Sequence, residues 1–338
     1  MRIIPPRLEA ATLAALALAP GALAAEGHPY KAEAGPLAVE VAQARFDDAA
    51  RGRELPARVY APSEGDGLPL VVFSHGFGET MATYAHLATH WASYGYAVIV
   101  PNHAGTDREA MLGVRAGKPP APVPFSARPA DLSHIVDVLA AGEGPDLVRG
   151  RIDLGRVGAG GHSMGSTTAL VTIGMTMAGE GARASYADPR FRCAVAMSVQ
   201  IGSAAGKTGE ASAAALERGI DADSWSAIEK PAMVMMGTKD RGYGVLAKDP
   251  GLRRVSYDRM PPGEKYLVNL VGAQHHAFTD TDPWYGGDAR DPRHYALVFQ
   301  ATTAFYDACL RDDAQARAWL HDLTLAKDNA GLVEMEWK

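Results

Sequence analysis

The sequence predicts an α/β protein in which a mostly parallel β-sheet is flanked by helices. Short apolar runs typical of buried strands alternate with segments whose apolar residues recur at helical intervals. A Gly-x-Ser-x-Gly pentapeptide at 161–165 also lies where a predicted strand passes into a predicted helix. The 338 residues can bury a full core. Because the alternation continues along the chain, we predict one domain at residues 25–338.

The elements follow from the pattern of apolar residues. The predicted strands are 37–45, 55–60, 70–74, 96–100, 156–160, 193–199, 232–236 and 265–271. The predicted helices are 82–94, one that begins at Pro129, 166–177 and 293–310. Residues 104–128 are polar and rich in proline, which predicts a surface excursion. Residues 200–228, rich in Gly, Ala and Ser, are predicted to form a small lid.

The N-terminus has the pattern of a secretory signal peptide. Arg2 and Arg7 precede an apolar run, and Ala22-Leu23-Ala24 supplies the small-x-small pattern that signal peptidase recognises. A retained membrane anchor is the alternative, but the run is short for a spanning helix. We therefore expect residues 1–24 to be removed, which predicts a secreted or periplasmic protein without stable membrane insertion.

Charge and cysteine content narrow the function classes. The net charge of −6 comes without a Lys/Arg run, so no nucleic acid is expected as a partner. The two cysteines, Cys193 and Cys309, could pair after export or stay as buried thiols. Neither has metal-ligand spacing, and adjacent His275 and His276 make a weak metal site, so no metal or organic cofactor is expected.

The pentapeptide centred on Ser163 is typical of a nucleophile elbow. Glycines on either side permit a tight strand-to-helix turn that exposes the serine hydroxyl at its tip. The helix that follows would direct its N-terminal amides toward negative charge that develops there. A glycine turn with an incidental serine is the alternative.

A serine nucleophile needs a histidine base and a carboxylate that orients the histidine. In such sheets the three residues follow one another as Ser, Asp and His at the carboxyl ends of strands. Asp240 follows the strand 232–236, and His275 follows the strand 265–271. Asp221, Asp223 and Asp280 are the alternative carboxylates, and His276 is the alternative base.

Oxyanion donors are predicted at two turns. The elbow supplies the amide of Met164, and His75-Gly76-Phe77-Gly78, after an earlier strand, can supply that of Phe77. His103 ends another strand at the same edge, where it could line the substrate pocket or pack within its loop.

Several segments together resemble a known family. These are VVFSHGFGE, GHSMGS, DPRFRCAVAMS, MMGTKDRG, PPGEKYLVNLVGAQHHAF and the helix after them. They are similar to bacterial α/β-hydrolases of the platelet-activating-factor acetylhydrolase and dienelactone-hydrolase-like group, and also to chlorophyllase and cutinase-type polyester hydrolases. The resemblance spans most of residues 36–325 and implies the α/β-hydrolase fold.

The resemblance also implies the roles of single residues. It implies Ser163 as nucleophile, Asp240 as acid, and Phe77 and Met164 as oxyanion donors. It favours His275 over His276 as base, because the base lies three residues before an aromatic, here Phe278. Dienelactone hydrolases have cysteine at the elbow, so the serine here favours an ordinary carboxylic ester.

The expected function is that of a secreted serine esterase acting on a small-molecule or polymeric ester. Phe77, Met164, Trp225 and Phe278 are predicted to form an acyl pocket for short to medium chains. The alternatives are a polyester hydrolase or phospholipid acetylhydrolase-like enzyme, an amidase or peptidase, and a noncatalytic binding protein on the same scaffold.

Overall fold

The computed structural model describes residues 30–118, 124, 126–178, 182–201, 219–241, 249–280 and 291–338. The predicted signal segment 1–24 lies outside these ranges. The strands are β1 Val39–Asp48, β2 Arg53–Pro62, β3 Leu68–Ser74, β4 Ala97–Pro101, β5 Ile152–His162, β6 Thr176–Met177, β7 Ala184–Ser185, β8 Phe191–Met197, β9 Ala232–Gly237, β10 Lys265–Leu270 and β11 Val333–Trp337.

Helices alternate with these strands along the chain. They are α1 Ala85–Ser93, α2 Arg108–Arg115, α3 Ala127–Ala140, α4 Met164–Thr172, α5 Val255–Arg259, α6 Pro292–Leu310, α7 Ala314–His321 and α8 Thr324–Asp328. Short 3₁₀ helices span Pro250–Arg254 and His275–Phe278.

One nine-stranded sheet organises the described residues, in the order β1-β2-β4-β3-β5-β8-β9-β10-β11. The six strands from β4 to β10 pair in parallel. β1 and β2 form an antiparallel pair at one edge, and β11 pairs antiparallel with β10 at the other. The prediction of a mostly parallel sheet flanked by helices is confirmed.

The central strands are mainly apolar because both faces of the sheet are covered. Along β3, Leu70 and Val72 pack with the core on one face, whereas Val71 and Phe73 pack with the core on the other. Helices α3 and α4 cover the first face, and α1, α6, α7 and α8 cover the second. The cores therefore lie on either side of one sheet.

A disulfide joins the sheet to the helix layer on the second face. It links Cys193 on β8 to Cys309 on α6, with Cα atoms 6.6 Å apart, within the usual range for disulfides. Both side chains are buried. The sequence leaves open whether the two cysteines pair or remain buried thiols, and in the structure they are paired.

The order of the central strands reverses direction at β3. The chain passes from β3 to β4 on one side and then to β5 on the other side of β3. The loops after β3 and β5 consequently leave in opposite directions, which is the position where sheets of this kind bind ligands. Ser74, at the end of β3, lies in register with Gly161 on β5.

Two predicted segments differ from the structure, and some elements were not predicted. The predicted excursion 104–128 contains α2, whose N-cap Asp107 accepts a hydrogen bond from the Ala110 amide. The predicted helix 166–177 begins at Met164 and ends at Thr172, because Gly174 has φ +126°. β11, α7 and α8 were not predicted.

The predicted lid is only partly described, since residues 202–218 lie outside the described ranges. The described part from 219 onward packs into the core: Ile220, Trp225 and Ile228 are buried. The Thr176 amide donates to the Ser224 carbonyl at 2.9 Å. These contacts contradict a lid for residues 219–228. In the part of the chain that the structure describes, no helix is long and apolar enough to cross a membrane.

Candidate active site

The turn at Ser163 has the strained backbone of an elbow. Ser163 has φ +54° and ψ −116°, a conformation that costs free energy for a residue other than glycine. A Cβ on Gly161 would collide with the Gly165 carbonyl, and one on Gly165 would collide with the Ser74 carbonyl. Both glycines of the pentapeptide are therefore required by the close approach of neighbouring backbone.

The serine is held at the start of a helix. Its amide donates to the Met197 carbonyl of β8 at 2.9 Å, and its carbonyl accepts from the Ser166 hydroxyl at 2.5 Å. Met164 is the first residue of α4, so its amide belongs to the helix turn whose N–H groups lack intrahelical acceptors. Ser163 itself is half-buried.

Asp240 lies in the turn after β9 and is fully buried. Its Oδ1 contacts His275 Nδ1 at 2.8 Å and Arg253 at 3.0 Å. Its Oδ2 accepts from the Ser198 hydroxyl at 2.5 Å. Burial alone would raise the pKa of Asp240, but His275, Arg253 and the hydrogen bonds to the carboxylate hold the pKa well below its usual range. Asp240 is therefore ionised.

His275 follows β10 and contacts this carboxylate through Nδ1. Because an ionised carboxylate only accepts, Nδ1 carries the hydrogen and Nε2 keeps its lone pair. Burial lowers the pKa of His275, and the Asp240 charge opposes that shift without cancelling it. The ring is therefore neutral near pH 7, the state that a general base needs.

A contact through His162 brings the base loop to the serine loop. β5 and β10 are separated by β8 and β9, a span of about 14 Å between strand axes. The loop after β10 crosses this span, since His162 Nε2 lies 2.8 Å from the His275 carbonyl oxygen. The rings of His162 and His275 have centroids 4.7 Å apart. His275 thus lies beside the residue that precedes Ser163.

The loop after β3 places the second predicted oxyanion donor next to the elbow. Gly165 packs against the backbone of Ser74 and His75, so the two turns are in direct contact. Phe77 is half-buried, whereas Met164 is 5% exposed. The loop is anchored from below, because the Gly76 amide donates to Glu79 at 2.6 Å and the Gly78 amide donates to the Thr106 carbonyl at 2.9 Å.

His103 does not line an accessible pocket, contrary to its assignment as a substrate-binding residue. It is 1% exposed. Its Nε2 lies 2.9 Å from the Ser74 hydroxyl and its Nδ1 lies 2.8 Å from Asp131. The His103 amide donates to His75 at 2.9 Å. These contacts secure the base of the loop after β3.

Trp225 and Phe278 are also too deeply buried to bind substrate. Trp225 is fully buried, and its neighbour Ser224 accepts from the Thr176 amide beyond the C-terminal end of α4, a helix about 13 Å long that begins next to the serine. Phe278 is fully buried with its ring centroid 5.8 Å from that of His162. Phe278 therefore supports the turn that carries His275. The prediction missed this because burial depends on distant segments.

The alternative acids and base have other contacts. Asp221 pairs with Arg183, Asp223 is exposed, and Asp280 pairs with His86. His276 Nδ1 lies 3.8 Å from Glu79, and it is His275 that contacts Asp240. Across the described ranges, no group of three or more His, Cys, Asp or Glu side chains is arranged to hold a metal ion.

Sequence reasoning missed the residues that support the site. Ser198 and Arg253 contact Asp240, and Glu79, Tyr84 and His162 lie beneath the two turns. Position offered a clue for two of them: Ser198 directly follows β8, and His162 precedes the elbow serine. Arg253 comes from a 3₁₀ helix remote in sequence, so no local pattern identifies it.

Comparison with known families matches part of the chain. Residues 68–184 match the family model Hydrolase_4, described as "Serine aminopeptidase, S33". The match includes β3, the loop after it and the elbow, and it ends before Asp240 and His275. Together with the mostly parallel sheet and its flanking helices, it identifies the α/β-hydrolase fold. It supports this superfamily and does not single out the platelet-activating-factor acetylhydrolase or dienelactone-hydrolase-like group.

Proposed function

We propose that this α/β-hydrolase is a serine esterase that cleaves carboxylic esters with short to medium acyl chains. The observation that carries the proposal is the 2.8 Å contact between His275 Nδ1 and Asp240 Oδ1, in a loop that lies beside the loop of the strained Ser163. A serine, a base and an orienting carboxylate are the groups that acyl transfer requires.

In the proposed first step, Ser163 Oγ attacks the ester carbonyl carbon while His275 Nε2 takes the hydroxyl proton. Asp240 stabilises the imidazolium that forms and retains Nδ1–H in its orientation. The tetrahedral intermediate then expels the alcohol, which receives the proton from His275. The product of this half-reaction is an acyl ester on Ser163.

The amides of Phe77 and Met164 are proposed to stabilise the oxyanion. Each donor of this kind contributes about 3–4 kcal/mol of transition-state stabilisation. The N-terminus of α4 adds a favourable dipole. In the second half-reaction, His275 activates water, which attacks the acyl carbon and releases the acid and the free serine.

Peptide or amide hydrolysis is the second candidate. It is favoured by one observation, the match of residues 68–184 to a family whose description names a serine aminopeptidase. The same triad serves both reactions, so the choice depends on how well the site protonates an amine leaving group. A polyester hydrolase or a phospholipid acetylhydrolase-like enzyme would be a narrower form of the ester proposal.

A matched substrate series separates these candidates. We would measure kcat/KM of the mature protein on p-nitrophenyl esters of graded acyl length and on the corresponding p-nitroanilides. We expect the ester to be cleaved at least about 10³-fold faster than its anilide, with a maximum at short or medium length. Activity should fall by about 10⁴ to 10⁶-fold in Ser163→Ala and His275→Ala.

His276→Ala tests the alternative base, because the His276 ring is adjacent to His275 but it is His275 that contacts Asp240. Comparable rates on anilides and esters would favour the peptidase candidate. An inert wild type that also fails to react with a fluorophosphonate would instead favour a noncatalytic binding protein. Release of soluble acids from an aliphatic polyester film would identify the polyester alternative.

We also propose that the protein acts outside the cytoplasm. The signal-like residues 1–24 support export, and the disulfide between Cys193 and Cys309 is of the kind that persists in oxidising compartments. A single domain at 25–338 would then be the mature enzyme, with a small or polymeric ester as its partner.

A further inference from the structure

A cluster of three buried polar side chains lies under the candidate active site and has no role in the proposed steps. Glu79 is 2% exposed, Tyr84 is 1% exposed and His162 is fully buried. The Tyr84 hydroxyl contacts both Glu79 Oε2 and His162 Nδ1, the latter at 2.8 Å. Glu79 Oε1 lies 3.4 Å from the same nitrogen.

The hydrogen bonds of this cluster determine its number of protons. His162 Nε2 faces the His275 carbonyl oxygen at 2.8 Å, and a carbonyl only accepts, so Nε2 carries a hydrogen. Tyr84 has one hydroxyl hydrogen but contacts both a carboxylate oxygen and an imidazole nitrogen. If Glu79 is ionised and His162 is neutral, this one hydrogen can satisfy only one of the two contacts. Both contacts are hydrogen bonds only if the cluster carries one additional proton.

The extra proton belongs on His162. Glu79 Oε2 already accepts the Gly76 amide at 2.6 Å, which favours its ionised form. Its other oxygen, Oε1, faces two imidazole nitrogens, His162 Nδ1 at 3.4 Å and His276 Nδ1 at 3.8 Å. Tyr84 therefore donates to Glu79 and accepts from His162 Nδ1–H, and the ring is doubly protonated.

This cluster connects the two loops that the reaction must hold together. Glu79 anchors the Gly76 amide, which lies one peptide before the Phe77 amide in the loop after β3, here called the oxyanion loop. His162 donates to the His275 carbonyl in the base loop. Glu79 also fills the space beside Gly76, where a Cβ would lie 3.0 Å from its carboxyl carbon. Displacing either end would move a reacting group.

We propose that Glu79 and His162 form a buried carboxylate–imidazolium pair, bridged by Tyr84, that positions the oxyanion loop against the base loop. This inference rests on the proposed function for its kinetic consequences. The charge state of His162 is independent of that function and is measured separately. Glu79, Tyr84 and His162 are positioning residues that do not touch the substrate.

The pair also affects the titration of the base. The charged or titratable groups that face His275 are Asp240 after β9, Arg253 from the 3₁₀ helix, His162 at the end of β5 and the adjacent His276. Those that face His162 are Glu79, Tyr84, His275 and His276. A cationic His162 lies close to His275 and lowers its pKa.

Glu79→Gln tests the pair because it keeps the size of the side chain and removes its charge. Glu264→Gln is a matched control. Glu264 also accepts from a tyrosine, Tyr266, and lies 3.2 Å from a histidine, His321 Nε2. It precedes β10 and so lies at the amino ends of the parallel strands, whereas Ser163 follows the carboxyl end of β5.

The first readout is the protonation of His162 in the full-length mature protein. Long-range ¹H–¹⁵N spectra of ¹⁵N-histidine protein distinguish a doubly protonated ring from a neutral one, and His162→Asn assigns the signal. We expect both nitrogens to carry hydrogen at pH 7.5 in wild type and in Glu264→Gln. The Nδ1 hydrogen should be lost in Glu79→Gln.

The second readout is the pH profile of ester hydrolysis. Glu79→Gln should lower kcat about 10²-fold, as expected when reacting groups are misplaced by about 1 Å, with KM changed less than threefold. Loss of the cation beside His275 should move the acid limb to higher pH. A merely structural role would lower the melting temperature without moving the acid limb. Glu264→Gln should change neither kcat nor the acid limb.

Two results would overturn the proposal. One is a neutral His162 in the wild-type spectrum, a result that stands even if Glu79→Gln does not fold. The other is a folded Glu79→Gln whose kcat and acid limb match those of Glu264→Gln. If wild type neither cleaves esters nor reacts with a fluorophosphonate, the proposed function fails, and the spectrum still decides the pair.

Discussion

Two serine–histidine–aspartate arrangements lie at the same edge of the sheet. In one, His103 lies 2.8 Å from Asp131 and 2.9 Å from the Ser74 hydroxyl. In the other, His275 lies 2.8 Å from Asp240, beside the loop of Ser163. The contact between histidine and carboxylate has the same length in both, so this contact does not distinguish a reactive site from a structural one.

Access and backbone geometry do distinguish them. Ser74 is fully buried in the last position of a regular strand, and the Arg128 guanidinium lies 3.3 Å from its hydroxyl. Ser163 is half-buried, has φ +54° and immediately precedes a helix, whose N-terminal amides favour negative charge. Exposure, the strained elbow and the helix that follows therefore distinguish the candidate nucleophile Ser163 from Ser74.

The histidines of the two arrangements have pKa values shifted in the same direction. Burial lowers the pKa of His103 well below its usual range, and Arg128 and Arg53 lower it further. Burial also lowers the pKa of His275. Both rings are neutral near pH 7, so the charge of the histidine does not distinguish the two arrangements. We assign the arrangement of Ser74, His103 and Asp131 a role in stabilising the fold.

The largest expected difference comes from removing each carboxylate charge. Asp240→Asn should lower kcat by about 10⁴-fold, because the amide no longer favours the reactive tautomer of His275. Asp131→Asn should leave kcat within about threefold. It should lower the free energy of unfolding by about 2 kcal/mol, because Arg51, Arg53 and His103 lose the anion they share.

Steady-state kinetics and urea unfolding of both variants measure these effects. A loss of kcat in folded Asp131→Asn as large as that in Asp240→Asn would break the comparison, since the buried arrangement would then take part in the reaction.

A smaller effect is expected in the pH dependence of wild type. The proposed reaction requires neutral His275, and burial lowers the pKa of this residue. Lowering the pH through that pKa protonates the base, so kcat/KM should fall toward acid with a midpoint below about 6.5, the ordinary histidine value. The measurement is kcat/KM on a soluble ester from pH 4 to 9, with folding monitored at each pH. An acid limb above this value would contradict a buried, neutral base.

The sequence identifies candidate reacting groups more readily than their surroundings. Ser163, Asp240 and His275 are candidates because each follows an apolar strand, and parallel strands end on the same side of a sheet. The sheet class follows from runs such as 70–74 and 232–236, which the structure places in β3 and β9. Local pattern is sufficient for these features.

Features that depend on long-range packing were not predictable. His103, Trp225 and Phe278 have residue types common in pockets, yet elements distant in sequence bury each of them. In the sequence Glu79 is an ordinary loop carboxylate, whereas in the structure β5 places His162 beside it. β11 was not predicted for a related reason: Val333–Trp337 is a strand because it pairs with β10, a partner distant in sequence.

Covalent labelling tests the central claim most directly. The mature wild type would be treated with a fluorophosphonate, and the modified residue would be identified by peptide mass mapping beside Ser163→Ala and Ser74→Ala. We predict modification of Ser163 in wild type and in Ser74→Ala, and none in Ser163→Ala. Modification of Ser74, or undiminished labelling of Ser163→Ala, would contradict the assignment of the elbow serine as the nucleophile.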